Sequence, residues 1–139
     1  SQTQKSVVQG AAGAIEVAQD LPVGGQASRG VAVIAHPHPL FGGTMDNKVV
    51  QTLARALVQC GWTAVRFNFR GVGATQGVHD EGRGETEDFL AVVQQCAPDG
   101  ALALAGFSFG SFVMSQAVGS LWPQRQIDKL DPLTREDNP

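Results

Sequence analysis

The chain predicts an α/β domain, with a mostly parallel sheet and helices on both of its faces. Three observations carry that prediction. Short apolar runs rich in β-branched and aromatic residues recur at residues 30–35, 62–69 and 101–106. Segments with the 3.6-residue apolar period of a helix lie between them. Glycine and proline mark the junctions, with 17 Gly and 7 Pro among 139 residues. Strands that alternate with helices pair in parallel through right-handed crossovers.

Each element has its own justification. Residues 6–9 and 14–18 are short extended segments separated by Gly10 and Gly13, which reads as an antiparallel hairpin. Residues 21–29 form a Pro/Gly loop, and 30–35 form the first core strand. A loop at 36–43 carries Pro37, Pro39, Gly42 and Gly43. A helix over 46–60 places Val50, Leu53, Ala54, Leu57 and Val58 on one stripe. Thr44 or Asp46 is the expected cap, and Gly61 suits the left-handed residue after the helix. A second core strand covers 62–69, followed by a glycine-rich loop over 70–84. The next helix, over 85–96, has Glu85, Glu87 and Asp88 in its first turn and buries Phe89, Leu90 and Val93. After the turn at 98–100 comes the third core strand, then a helix from about Ser108 to Trp122.

Composition narrows the function. Apolar residues make up 42% and charged residues 17%, a globular balance. A net charge of −3 gives no electrostatic footprint for nucleic acid. No apolar run approaches the ~20 residues that span a bilayer. The N-terminus lacks the basic and apolar regions of a signal peptide. Cys60 and Cys96 read as reduced thiols, so the expectation is a cytoplasmic protein. One domain is expected over 1–127, and 128–139 reads as a polar tail.

The chemical signal centres on Gly106-Phe-Ser-Phe-Gly110, a G-x-S-x-G pattern between a strand and a helix. There the turn is so sharp that its flanking residues must be glycine, and the strain pushes the serine hydroxyl out above the sheet. Ser108 is therefore the candidate nucleophile. The Phe109 N–H at the helix start is a candidate oxyanion donor. The loop His36-Pro-His-Pro-Leu-Phe-Gly-Gly43 leaves the carboxyl end of its strand, where α/β sites form. Pro37 and Pro39 have no N–H, so the second donor is His38, with Leu40 next. His36 and His38 are candidates for a substitute base, against a reading in which they brace the loop.

The loop Arg66-Phe-Asn-Phe-Arg-Gly-Val-Gly-Ala74 lacks the third glycine and the helix of a dinucleotide site, and no Walker lysine follows. Arg70 is expected to pair with an acid. The acids at 80, 85 and 88 lack metal-ligand spacing even with His79 nearby, so neither a metal nor a cofactor is expected.

The stretches HPHPLFGGTMDNK, FNFRGVG with its following DEGRGETED, and GFSFG together resemble the α/β-hydrolase superfamily. Within it they resemble the small cap-less bacterial hydrolases with an H-P-H-P loop, over about residues 5–125. The resemblance implies a serine hydrolase acting on a small-molecule ester or related acyl bond, without a cofactor. It also implies a triad in the order Ser, acid, His. Here His36, His38 and His79 all precede Ser108. The chain thus reads as a truncated, N-terminal portion of the fold, weak or inactive as a catalyst. A truncated sheet would leave the Ser108 strand at an edge, with Phe112, Val113, Met114, Leu121 and Trp122 supplying an apolar flank. That predicts a homodimer or higher homo-oligomer. The alternative is a non-catalytic oligomerising or binding module built on a hydrolase half-fold.

Overall fold

The structure, a computed structural model, describes residues 3–130. Its strands are β1 (Thr3–Gly10), β2 (Gly13–Asp20), β3 (Val31–Ala35), β4 (Thr63–Phe67), β5 (Leu102–Gly106) and β6 (Ile127–Leu130). Its α-helices are α1 (Lys48–Gln59), α2 (Arg83–Cys96) and α3 (Phe109–Leu121). One six-stranded sheet runs in the order β1-β2-β4-β3-β5-β6. The expected hairpin is present, and β2 pairs antiparallel with β4. Strands β4, β3, β5 and β6 are parallel.

Period-two alternation sorts the strand residues between two layers. Ala32 and Ile34 of β3 and Ala103 and Ala105 of β5 meet Val50, Ala54, Leu57 and Val58 of α1. Val33, Leu102 and Leu104 point the other way, into the larger cluster with Phe89, Val92 and Val93 of α2 and Val113 and Met114 of α3. Four strand alanines on the α1 face, Ala32, Ala64, Ala103 and Ala105, leave room for close approach of that helix. The phenylalanines fill the opposite side, where Phe67 meets Phe69 and Phe89 edge-on at 5.3 and 5.6 Å. Helices thus cover both faces, as the sequence predicts.

Several expectations change. The Ser108 strand is not a sheet edge, because β6 pairs with β5 along its length. Residues Ile127–Leu130 take up the extended form and parallel register that extend the sheet beyond β5. The boundary drawn between 127 and 128 therefore falls inside a strand, and residues 131–139 lie outside the described residues. The apolar flank is also divided. Val113 and Met114 are core, Leu121 is half-buried, and Phe112 and Trp122 are exposed.

The cap of α1 is Asn47 rather than Thr44 or Asp46. Its side-chain oxygen accepts from the N–H of Val49 at 2.8 Å and of Val50 at 3.3 Å. Helix α2 begins two residues earlier than expected, so Glu85 is the acid of its first turn. Val92 rather than Leu90 joins Phe89 and Val93 on its buried face. Among the described residues, no helix is long and apolar enough to cross a membrane.

Candidate functional site

Strands β3 and β5 are neighbours, and Ala35 lies opposite Gly106 at their ends. The loop after β3 and the turn after β5 therefore leave the sheet at one level. The Phe107 N–H donates to the Ala35 carbonyl at 3.3 Å, which ties the two together.

The turn after β5 is strained where the sequence places the nucleophile. Ser108 is exposed and has φ 60° and ψ −120°, a conformation that residues with a Cβ rarely adopt. Its neighbours show what holds it there. A Cβ on Gly106 would lie 2.6 Å from the Gly110 carbonyl carbon and oxygen. A Cβ on Gly110 would lie 2.3 Å from the Ala35 carbonyl oxygen. Both positions are closed to every side chain, so the chain must reverse between β5 and α3 with only Phe107, Ser108 and Phe109 between the glycines. In the first turn of α3, Gly110 N–H bonds the Phe107 carbonyl and Ser111 N–H bonds that of Ser108. Among the described residues, the Phe109 N–H has no acceptor. It stands at the positive end of a 13-residue helix, next to Ser108.

The β3 loop is built from hydrogen bonds. His36 is fully buried; its Nε2 accepts from the Phe69 N–H at 3.0 Å, so its Nδ1 carries the proton donated to the Pro37 carbonyl at 2.7 Å. Burial lowers its pKa to about 4, so the ring is neutral near pH 7. With both nitrogens engaged, His36 is a brace and not a base. His38 turns the chain: its Nδ1 accepts the Leu40 N–H at 3.1 Å, and its carbonyl accepts from Phe41 and Gly43. That removes Leu40 as an oxyanion donor. It also fixes the neutral His38 ring with its proton on Nε2, so that atom is a donor and not a proton acceptor. The His38 backbone N–H makes no hydrogen bond among the described residues. His38 and Phe109 therefore retain free N–H groups on the two segments that leave β3 and β5 together.

Strand β4 supports this end of the sheet. Asn68 accepts the Met45 N–H and donates to Glu16, whose carboxylate also takes the Ala74 N–H. The Ala74 bond, followed by that from Asn68, holds the Glu16 pKa below its ordinary value. Arg66 donates to the Met45 carbonyl at 2.8 Å. Arg70 finds its expected acid in Asp88, through two parallel bonds of 2.9 Å that pin the glycine-rich loop to α2.

His79, given no role by the sequence reading, stands among these groups. Its ring lies 4.9 Å from that of His38 and 5.6 Å from that of Phe109, while His38 and Phe109 are 4.6 Å apart. Its Nδ1 is 3.2 Å from Oε2 of the buried Glu85, within ion-pair distance but off the hydrogen-bond line. Glu85 itself accepts the N–H groups of Asp80 and Gly82. The sequence signal was faint: a His and a Glu six residues apart in a glycine-rich loop. Leu40, Phe41, Val78 and Phe112 are exposed on the segments around this cluster. Among the described residues, no group of three or more His, Cys, Asp or Glu side chains is gathered as a metal site would require.

Fold and turn together define the class: this is a serine-hydrolase-like α/β fold, and the chain resembles hydrolases of that superfamily that lack a lid. A lidless a/b serine hydrolase from Xanthomonas campestris superposes with a TM-score of 0.83 at 40% identity, over 97% of this chain and 64% of that one. An alpha-beta serine hydrolase homologue from Coxiella burnetii gives 0.80 at 41% identity, over 96% and 65%. An uncharacterized protein of Rickettsia prowazekii is 46% identical over 92 residues, which is 63% of this chain and 39% of that protein. The chain thus spans just under two thirds of the two solved relatives. No family model matches it.

Proposed function

We propose that this chain is a serine hydrolase-family protein acting on a carboxylic ester or related acyl bond, with Ser108 as the nucleophile. The observation that carries the reading is the left-handed backbone of Ser108, enforced by Gly106 and Gly110 at the foot of α3. In this reading the hydroxyl attacks the acyl carbon. The N–H groups of Phe109 and His38 receive the negative charge that develops on the carbonyl oxygen. The base that a serine hydroxyl needs to give up its proton does not come from His36 or His38. His36 has both nitrogens occupied, and His38 presents Nε2–H. An oxyanion site without its base still retains a rate about 10³- to 10⁴-fold above water.

Added imidazole can supply the base and so test the assignment. Hydrolysis of p-nitrophenyl acetate should rise with imidazole well above the solution background, and the rise should vanish in Ser108→Ala. A fluorophosphonate should add to Ser108, as read by intact mass. Equal rates for the two proteins and no adduct would defeat the assignment.

A second reading, a non-catalytic oligomerising or binding module, draws on the exposed Phe112 and Trp122 along α3. Gel filtration of Ser108→Ala separates the two. A stable assembly without any imidazole-supported activity in the unaltered chain favours the module.

A further inference from the structure

We propose that His79 is a positioning residue for the oxyanion site, holding His38 in the place from which its backbone N–H acts. The proposal rests on the hydrolase reading above, and goes beyond it by assigning work to a residue outside both motif segments.

The argument starts from what a donor on a loop lacks. An N–H group on a strand or helix is placed by its neighbours in the ladder, whereas one on a loop needs support from side chains. The His38 N–H sits in a segment of seven residues between β3 and the buried Gly43. His36 anchors the start of that segment, and the bonds to the His38 carbonyl close its turn. The Leu40 N–H holds the His38 ring at Nδ1 but leaves its faces to be packed. That ring is enclosed by three others: Phe41 at 4.9 Å, Phe109 at 4.6 Å and His79 at 4.9 Å. Phe41 belongs to the same turn and is 87% exposed, so it moves with the turn it would steady. Phe109 is fixed by α3. His79 is the remaining wall, and it comes from a third segment.

His79 can act as a wall because it is itself held. Its side chain is 14% exposed, and Nδ1 faces the Glu85 carboxylate. That carboxylate is fully buried and takes two backbone N–H groups at the foot of α2. The line of support runs from α2 through Glu85 and His79 to His38. It places one donor against α2, while the other donor, Phe109, is part of α3.

The test compares His79→Ala with His79→Phe, which keeps a ring but loses the Glu85 contact. In the imidazole-supported assay with p-nitrophenyl acetate, His79→Ala should lower kcat about 10- to 100-fold, the cost of a donor misplaced by about 1 Å. KM should stay within about threefold, because uniform binding is untouched, and His79→Phe should recover part of the loss, because the ring is restored without its anchor on Glu85. Unchanged kcat, a loss confined to KM, or a Phe variant as poor as Ala would each overturn the proposal.

Amide hydrogen exchange supplies a readout that needs no activity. In His79→Ala the Leu40 and Phe41 N–H groups, both bonded to His38, should exchange at least about tenfold faster, with those of β3 and β5 unchanged. Unchanged exchange at Leu40 and Phe41 would overturn it. If His79→Ala does not fold, His79→Gln, which lacks the ring but keeps a polar group for Glu85, is read in the same way. If Ser108 proves inert in the unaltered chain, the hydrolase reading falls and the exchange result alone decides the placement of His38.

Discussion

Two segments meet above the sheet, and they are held in opposite ways. The turn from β5 into α3 is fixed by missing side chains: Gly106 and Gly110 leave no volume for a Cβ, and Ser108 accepts a strained backbone in consequence. The loop after β3 is fixed by side chains that are present, with His36, His38 and Asn68 each spending polar atoms on backbone groups. A turn held by exclusion leaves no alternative geometry short of unfolding. A loop held by hydrogen bonds can be loosened one bond at a time. The contrast predicts all-or-none responses on the β5 side and graded ones on the β3 side.

The largest effect should come from the excluded volume. Gly110→Ala forces a Cβ to within 2.3 Å of the Ala35 carbonyl oxygen, a main-chain atom that cannot swing aside. A loss of about 3 kcal/mol or more is expected, at the upper end of overpacking costs, read by urea denaturation. A loss below about 1 kcal/mol would show that the turn relaxes, and would break the contrast.

Next comes the titration of His36. The folded ring resists protonation down to about pH 4, while the unfolded ring accepts a proton near 6.5. Stability from this residue is therefore complete above pH 6.5 and is lost as pH falls from 6.5 towards 4. The loss is of the order of 3 kcal/mol, since each pKa unit is worth about 1.4. His36→Gln should flatten that part of the stability–pH curve, and the Glu16 contribution lies lower because its pKa is depressed below 4.5. An unchanged slope would remove His36 from the account.

Asn68→Leu should cost about 2 kcal/mol, because it strands the buried Met45 N–H and one bond to Glu16. Thermal melting should show a weakened fold that still assembles, the graded response expected of this side. The smallest effect sharpens the comparison as a control. Asn47→Ala removes the cap of α1 beyond the loop and should cost about 1 kcal/mol without altering the Ser108 adduct with a fluorophosphonate.

The same contrast explains what was legible in the sequence. Exclusion leaves a local signature, so the glycine-serine-glycine turn, its flanking strand and helix, and the strained position of Ser108 are legible directly. Bonds between distant residues leave none. Nothing near His36 announces that its Nε2 meets the Phe69 N–H, 33 residues away. His38 and Leu40 looked like alternative donors until the His38 ring was seen to take the Leu40 N–H. Residues 127–130 look like no more than the approach to a strand, because two of the four are charged, and only the register with β5 makes them one. Spacing in the sequence speaks only to whether His79 joins a metal site. Its place depends on Glu85 being buried at the start of α2, which spacing does not reveal.

The pairing of Ala35 with Gly106 has a consequence in time. Those residues are 71 positions apart in the chain, and α1, β4 and α2 all lie between them. Closing the contact that brings Phe109 beside His38 therefore carries the entropy cost of a long loop, and it is expected to follow the local contacts of α1 and α2. A hydroxyl-directed probe added during refolding should stay silent while helical signal returns, and react only when β5 docks on β3. Ser108 would then serve as a clock for one long-range step of folding.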